Sequence, residues 1–156
     1  MFNKSVFLAG FLAASSLGMS AQAQDFSGFF AGLYGASAYS GSDRAVGLKF
    51  GYDRQMGNMV IGGDVDYFKA SPSGDSEVFV NVRGGYVVTP KAMVFASVGR
   101  GTYYPLNLPI YSVGFGGEFK VTDSVSLRAD YEWHNALGAP LSSAERFFKL
   151  GANWRF

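Results

Sequence analysis

The sequence predicts an all-β protein, an eight-stranded antiparallel up-and-down β-barrel that crosses a membrane with its strands. Apolar and polar residues alternate with a period of two in segment after segment, which is the pattern of β-strands rather than helices. Short, turn-like connections and longer connections alternate strictly between these segments. The chain is also rich in glycine, with 21 residues, and in aromatic residues, which make up 17% of it.

The N-terminal segment has the pattern of a cleavable secretory signal. Lys4 supplies a positive start, and the mostly apolar stretch 6–17 is shorter than the ~20 residues that a spanning helix needs. Small residues at Ala21 and Ala23 form the cleavage pattern, and an uncleaved anchor is the alternative. We therefore predict a signal peptide over 1–23 and one barrel domain over 24–156.

Composition excludes several functional classes. The chain has 13 Lys and Arg against 12 Asp and Glu, and loss of Lys4 with the signal leaves 12 against 12. A chain without net charge is a poor candidate for a nucleic-acid binder, which normally carries a basic surface. The absence of cysteine excludes disulfides, zinc–thiolate sites and a thiol nucleophile. We expect no cofactor and no nucleic-acid partner.

The predicted strands differ in how clearly their two faces can be assigned. The first, 29–39, is rich in Gly and Ala, and its facing is unclear. The fifth, 93–101, is apolar on both sides. The other six alternate clearly, although Phe79 falls on a polar face; they cover 46–53, 61–67, 77–86, 111–120, 125–134 and 148–156.

The connections fit a barrel with both termini at one end. Such a barrel of eight strands needs three turns at that end and four loops at the other. The short connections are 55–58, 89–92 and 121–124, and the longer ones are 40–44, 69–76, 102–109 and 135–144. Because 102–109 is apolar for a surface loop, we expect it to dock on the membrane interface, cap the barrel mouth or present a binding patch.

Two features indicate that the apolar face meets lipid. The polar face carries full charges separated by glycines, as a narrow closed interior requires. Tyr and Trp lie near the strand ends of the apolar face, as in interfacial girdles. These residues are Tyr52, Tyr86 and Trp154 toward the turns, and Tyr67, Tyr111 and Trp133 toward the loops. A soluble secreted β-barrel is the alternative.

The end of the chain resembles a known signature. The alternating residues Phe148, Leu150, Ala152, Trp154 and Phe156 resemble the C-terminal signal that the barrel assembly machinery recognises in bacterial outer-membrane barrels. The segment 127–133 resembles the penultimate strand of the small barrels grouped with the OmpA transmembrane domain, OmpX and opacity-like porin-family proteins. The resemblance covers 24–156 and implies a monomer in the bacterial outer membrane, with outer-membrane lipid, lipopolysaccharide and the assembly machinery as partners.

The inward charges are the candidate functional residues. An eight-stranded barrel is just wide enough for side chains to fill it. Folding about 56–57 places Lys49 opposite Asp64, and folding about 122–123 places Glu118 opposite Arg128. We expect the inward charges to pair and plug the lumen, because unpaired buried charges are costly, and a water-filled pore is the alternative. The predicted network comprises Lys49, Asp64, Arg83, Glu118, Arg128, Asp130, Glu132 and Lys149.

Catalytic and metal sites are not predicted. The lipid A deacylases, one eight-stranded class, use a His, a Ser two residues later and a Glu, but Ala136 occupies that serine position after His134. We expect His134 to lie at the rim of the barrel, hydrogen-bonded to loop backbone, and a rearranged set of His134 with Ser142, Ser143 and Glu145 is the alternative. The acidic residues toward the loops lack calcium-loop spacing, and we expect them to be solvated; they are Asp43, Asp64, Asp66, Asp75 and Glu77.

The predicted function is structural. We expect the barrel to support envelope integrity and to offer its loops as a contact surface. The two alternatives are a small diffusion pore and a lipid-modifying enzyme.

Overall fold

The structure, a computed structural model, describes residues 25–39, 44–71 and 73–156. Eight antiparallel strands form a closed barrel in which each strand pairs with the next and the first pairs with the last. The predicted eight-stranded up-and-down barrel is therefore confirmed. The strands are β1 Gly28–Ala38, β2 Arg44–Met56, β3 Met59–Ser71, β4 Ser76–Thr89, β5 Ala92–Tyr104, β6 Leu108–Lys120, β7 Val125–Ala136 and β8 Glu145–Arg155.

Several predictions fall on residues outside the described ranges. They are the signal 1–23 with its cleavage residues Ala21 and Ala23, and the loop residue Asp43. A short 3-10 helix, Leu141–Ser143, precedes β8. Within the described part of the chain, no helix is long and apolar enough to cross a membrane.

The two ends of the barrel differ in their connections. The start of β1, the end of β8 and the short connections 57–58, 90–91 and 121–124 lie at one end, called here the turn end. The other connections lie at the opposite, loop end, and they are not uniformly longer, since 105–107 has three residues and 121–124 has four. The predicted apolar loop 102–109 is wrong, because β5 continues to Tyr104 and Tyr103 pairs with Leu108 across to β6. Only 105–107 connect the strands, so most of these apolar side chains belong to the barrel wall, where paired strands satisfy the backbone.

The apolar face points outward along the strands. Leu48, Val82 and Leu150 are each more than half exposed, and so are many other large apolar side chains of the wall. Such a continuous exposed apolar surface is unsuited to water and suited to the hydrocarbon region of a bilayer. All six predicted girdle residues lie on this outward face, with Tyr111 and Trp133 half-buried against their neighbours.

The structure assigns the two strands that the sequence left open. In β1, Phe30 and Tyr34 point inward and are buried, while Leu33 points outward. In β5, Met93 and Phe95 point inward. Both strands therefore carry apolar residues on the lumen side, which removes the contrast in polarity that marks the faces of the other strands.

Glycines make room for large lumen side chains. A Cβ at Gly47 would collide with the ring of Tyr34, and a Cβ at Gly62 would collide with the carboxylate of Asp53. Both glycines face inward beside these side chains. The narrow barrel can thus hold an aromatic ring and a carboxylate across neighbouring strands because the partner position has no side chain.

Candidate functional site

The barrel interior is the candidate site, and it is densely charged. Among the described residues, seven acidic side chains, six basic ones and one histidine are buried there. All eight residues of the predicted network are included, and none is more than 5% exposed. The six additional members are Asp53, Asp66, Glu77, Lys120, His134 and Arg155. Each of these six occupies an inward position of the period-two alternation, and this is the signal in the sequence that could have identified it.

At mid-barrel, two lysines and two carboxylates form what we call the central cluster: Lys49, Lys149, Asp66 and Glu132. Lys149 Nζ lies 2.7 Å from Glu132 and 3.0 Å from Asp66. Lys49 Nζ lies 3.3 Å from Glu132 and 3.5 Å from Asp66. The Tyr34 hydroxyl donates a 2.5 Å hydrogen bond to Asp66. Each charge therefore faces two opposite charges, which is the condition under which buried ions are tolerated.

Nearer the turn end, two arginines and two carboxylates form the turn-end cluster: Asp53, Arg83, Glu118 and Arg155. Arg155 donates hydrogen bonds to Asp53 at 2.9 Å and to Glu118 at 3.0 Å. Arg83 donates two hydrogen bonds to Asp53, one of them from Nε at 2.8 Å. Ser126 donates a further bond to Glu118 at 2.6 Å. This geometry uses the fork of the guanidinium group, which gives strong and directional ion pairs.

The predicted pairing of Lys49 with Asp64 is wrong. Lys49 lies opposite Asp66, because the β2–β3 turn is the two-residue connection 57–58 and the register is shifted by two residues. Such a shift leaves every side chain on its own face but changes its partner. Asp64 instead accepts a 2.8 Å hydrogen bond from Asn81 on β4.

The predicted opposition of Glu118 and Arg128 holds for the backbone but not for the side chains. The two residues are directly opposite between β6 and β7. Arg128, however, donates to Asp130 on its own strand at 2.7 Å, and its guanidinium carbon lies 4.4 Å from the centre of the Phe95 ring. Residues two apart on one strand share a face, so this neighbour competes with the partner across the strands.

His134 lies inside the barrel rather than at its rim. Its Nδ1 is 2.7 Å from Glu77 and its Nε2 is 3.0 Å from Glu132. An ionised carboxylate only accepts hydrogen bonds, so two ionised partners require both ring nitrogens to donate, as in the imidazolium form. With that positive charge, the seven buried acidic groups are balanced by six basic groups and one imidazolium.

The rearranged serine–histidine set is not brought together. Both ring nitrogens of His134 contact glutamates. The Ser143 hydroxyl lies in the loop, where it donates to the Pro140 carbonyl and accepts from Asn135, each at 2.9 Å. Ser143, the candidate nucleophile, therefore does not make the hydrogen bond to His134, the candidate base, that this chemistry needs.

The acidic residues predicted to be solvated are mostly buried. Asp64, Asp66 and Glu77 face the lumen, because each occupies an inward position in the alternation of β3 or β4. Asp66 is fully buried. Within 25–39, 44–71 and 73–156, no group of three or more potential ligands has the geometry to hold a metal ion.

Apolar layers lie on both sides of the charges. Toward the loop end, the rings of Phe79 and Phe147 lie 4.6 and 4.8 Å from the His134 ring, centre to centre. Toward the turn end, Phe26 is fully buried and packs with Met93 and Phe95. Sequence reasoning missed Phe26, since it precedes the first strand and carries no alternation signal.

The N-terminal residues are tied to the turn end of the lumen. The Phe26 carbonyl accepts a 2.5 Å hydrogen bond from Arg155. Lys120 donates to the Asp25 carbonyl, and its Nζ lies 4.8 Å from the centre of the Phe26 ring. Residues 25–27 therefore fold into the barrel opening, where the carbonyls of Asp25 and Phe26 accept hydrogen bonds from two of the buried cations.

The C-terminal signature residues occupy the outer face of β8. Phe148, Leu150, Ala152 and Trp154 are exposed there, and Phe156 follows the strand. The Phe156 backbone N–H donates to the Phe29 carbonyl at 2.9 Å, beside the seam between β8 and β1. Recognition of these residues by an assembly machinery remains a prediction.

Comparison with known proteins gives structural neighbours only. No family model matches the chain, and no curated protein matches it in sequence. A designed transmembrane β-barrel matches with a TM-score of 0.68 at 16% identity, over 85% of this chain and 98% of that one. The outer-membrane enzyme PagL matches with 0.65 at 12% identity, over 81% and 99%. The N-terminal barrel of Pseudomonas aeruginosa OprF matches with 0.64 at 12% identity, over 83% and 98%.

Proposed function

Because this chain has the fold of the small eight-stranded outer-membrane β-barrels, we propose that it is a structural outer-membrane protein with a plugged lumen. The predicted resemblance to such barrels is confirmed at the level of the fold, and the outward apolar wall supports the predicted location. The proposed contribution is to envelope integrity: a barrel without sheet edges that anchors in the bilayer and does not leak.

The central cluster is the observation that carries the plugged lumen. Lys149 and Asp66 are fully buried and lie 3.0 Å apart. Lys49 on β2 reaches Glu132 on β7, so the ion pairs cross the interior instead of lining its wall. An ion that crosses the barrel would have to separate these pairs, and unpairing a buried charge costs several kcal/mol.

The direct test is single-channel conductance of the refolded barrel in a planar bilayer. The proposal predicts silence from protein that is folded, as shown by its faster gel migration before boiling. Boiled protein added at the same concentration is the negative control. Discrete, repeated openings from the folded fraction would establish the diffusion pore instead.

A second candidate, a lipid-modifying enzyme, is favoured by one observation: the likeness to the outer-membrane enzyme PagL. The contacts of His134 and Ser143 argue against a rearranged catalytic set, as described above. Mass spectrometry of lipid A from cells with and without the protein tests the candidate. Loss of an acyl chain that depends on His134 would replace the structural proposal, whereas an unchanged lipid A profile supports it.

A further inference from the structure

The turn end of the lumen holds a short segment of the chain in the way that a binding site holds a peptide. Of residues 25–27, which precede β1, Phe26 is fully buried and its two neighbours are half-buried. The Phe26 ring packs with Val60, Met93 and Phe95 in an apolar pocket. One side-chain pocket, combined with hydrogen bonds to the main chain, is a general way in which proteins recognise peptides.

The main-chain groups of this segment are bound by side chains of the barrel. The Phe26 N–H donates to the Gln55 side-chain oxygen at 2.9 Å, and the Phe26 carbonyl accepts from Arg155 at 2.5 Å. The carbonyl of Asp25 accepts from Lys120. Because every peptide has such main-chain groups, the aromatic ring is the feature of the segment that the pocket selects.

Lys120 is a buried cation whose charge is not matched by an ion pair. It is 6% exposed, and among the described residues no carboxylate lies within 4.0 Å of its Nζ. The carboxylate of Asp25 instead accepts from the Ser27 N–H and hydroxyl, each at 2.9 Å. Buried cations are best tolerated beside anions, so this end of the pocket suits a ligand with a negative charge. The other five buried basic side chains each have such a carboxylate: Lys49, Arg83, Arg128, Lys149 and Arg155.

Lys120 and Arg155 converge beside the bound aromatic ring. The Lys120 Nζ lies 4.8 Å from the centre of the Phe26 ring, and the Arg155 guanidinium carbon lies 5.9 Å from it. In a peptide that ends in an aromatic residue, the terminal carboxylate is attached to the same carbon atom as the side chain. Such a carboxylate can accept from both cations while the ring fills the pocket, and these charge-assisted bonds are stronger than bonds to a neutral carbonyl.

We propose that the turn-end opening binds the C-terminal aromatic residue of a peptide, in exchange for residues 25–27. Phe26 is then a tethered occupant, which its short linkage to β1 holds at high effective concentration, so that weak ligands are kept out. Only the side from which such a peptide arrives depends on the proposed membrane placement. Short turns face the periplasm in outer-membrane barrels, so the ligand is a peptide or protein C-terminus in that compartment.

The test measures displacement of the N-terminal segment from the refolded barrel 24–156 in detergent micelles. An aminopeptidase trims a free N-terminus, and mass spectrometry follows the loss of residues 24–27. The probe is N-acetylglycyl-phenylalanine; its C-terminal amide lacks the charge, and N-acetylglycyl-alanine lacks the ring.

We expect millimolar N-acetylglycyl-phenylalanine to accelerate trimming of the wild-type barrel about fivefold or more, and the other two probes to accelerate it less than about twofold. Equal acceleration by the amide or by the alanine probe, or no acceleration by any of the three, would overturn the proposal. Because conduction is not involved in this assay, a negative result leaves the plugged lumen unaffected.

Two pairs of variants tie the effect to the pocket. Lys120→Gln should remove the advantage of the carboxylate over the amide, whereas Lys91→Gln, which removes an exposed charge at the same end, should behave as the wild type. Loss of that advantage in both variants, or in neither, would contradict the pocket. If Lys120→Gln does not fold, Phe26→Ala serves, because a weaker tethered occupant should yield to about tenfold less probe. Phe29→Ala, whose ring is exposed on the outer wall, is its control, and equal responses of these two variants would overturn the proposal.

Discussion

The two charge clusters of the lumen contain different cations, and they differ in what they contribute to the barrel. The turn-end cluster pairs carboxylates with guanidinium groups, and both Arg155 and Arg83 link Asp53 on β2 to Glu118 on β6. The central cluster pairs carboxylates with ammonium groups, which lack a fixed fork and share their partners. Directional bonds across the barrel favour a single arrangement of the strands, whereas shared point charges mainly fill the passage. The groups that stabilise the barrel and those that close its lumen therefore lie at different depths of the interior.

Asp53→Ala should give the largest loss of stability. Asp53 is fully buried and accepts from both Arg83 and Arg155, so its removal leaves two buried guanidinium groups short of a partner. Breaking a buried pair in this way costs roughly 3–5 kcal/mol of the free energy of unfolding. Urea unfolding in lipid vesicles measures the loss, with Asp123→Ala in an exposed turn as the control. A loss no larger than that of the control would remove the turn-end cluster as the source of stability.

Lys149→Met should have a smaller effect on stability. The methionine keeps most of the volume, while Lys49 still lies within 3.5 Å of both Asp66 and Glu132. We expect a loss of about 2 kcal/mol in the same unfolding assay, since each carboxylate keeps one cation. If this substitution destabilised the barrel more than Asp53→Ala, the contrast between the two clusters would be reversed.

Arg128→Ala should leave Glu118 paired, contrary to the expectation that follows from backbone opposition. Glu118 keeps its 3.0 Å contact with Arg155, and the residue that loses its hydrogen-bond donor is Asp130, which keeps Lys49 at 3.9 Å. A double-mutant cycle between Arg128 and Asp130 should give a coupling of about 1–3 kcal/mol, and the cycle between Arg128 and Glu118 should give less than about 0.5 kcal/mol. The reverse order of the two couplings would contradict the side-chain arrangement.

His134→Gln should have the smallest effect. Glu132 retains both lysines, and Glu77, 8% exposed, lies close enough to the loop end to be hydrated. We expect a loss of about 1.5 kcal/mol in the free energy of unfolding, the lower end of the range for a hydrogen bond to a charged group, because the glutamine amide can still donate to one carboxylate. A loss as large as that of Asp53→Ala would mean that the imidazole, and not the central lysines, holds the loop-end half together.

The fold was predictable because nearly every strand carries its own period-two signal. The exceptions are physical ones: β1 and β5 line the lumen with apolar residues, among them Phe30 and Phe95, and these pack against the guanidinium of Arg83. Alternation of polarity does not identify the inward face of a strand when its inward side chains are aromatic rings that contact a cation from another strand. The interior of this barrel is thus partly aromatic, which the sequence pattern of a charged lumen does not convey.

The sequence predicts which charged residues enter the lumen, but it does not predict which of them form ion pairs with each other. Parity along each strand decides which side chains enter the lumen, and it placed all eight predicted residues there. The ion pairs, however, cross the interior between strands that are not neighbours, as Lys49 does to reach Glu132. From the sequence, ion pairs can be predicted only between residues that lie opposite each other on neighbouring strands. In a narrow barrel, long side chains also reach partners on strands that are not neighbours.

The central cluster is the proposed block to conduction through the barrel. The decisive measurement is single-channel conductance of the wild-type barrel beside Lys149→Ala and Lys149→Met, all shown to be folded by heat-dependent gel migration. We expect silence from the wild type and from the methionine variant, which keeps the volume, and openings from the alanine variant, which removes a fully buried side chain from mid-barrel. Openings from the wild type, or silence from all three, would contradict the assignment of the plug to this cluster.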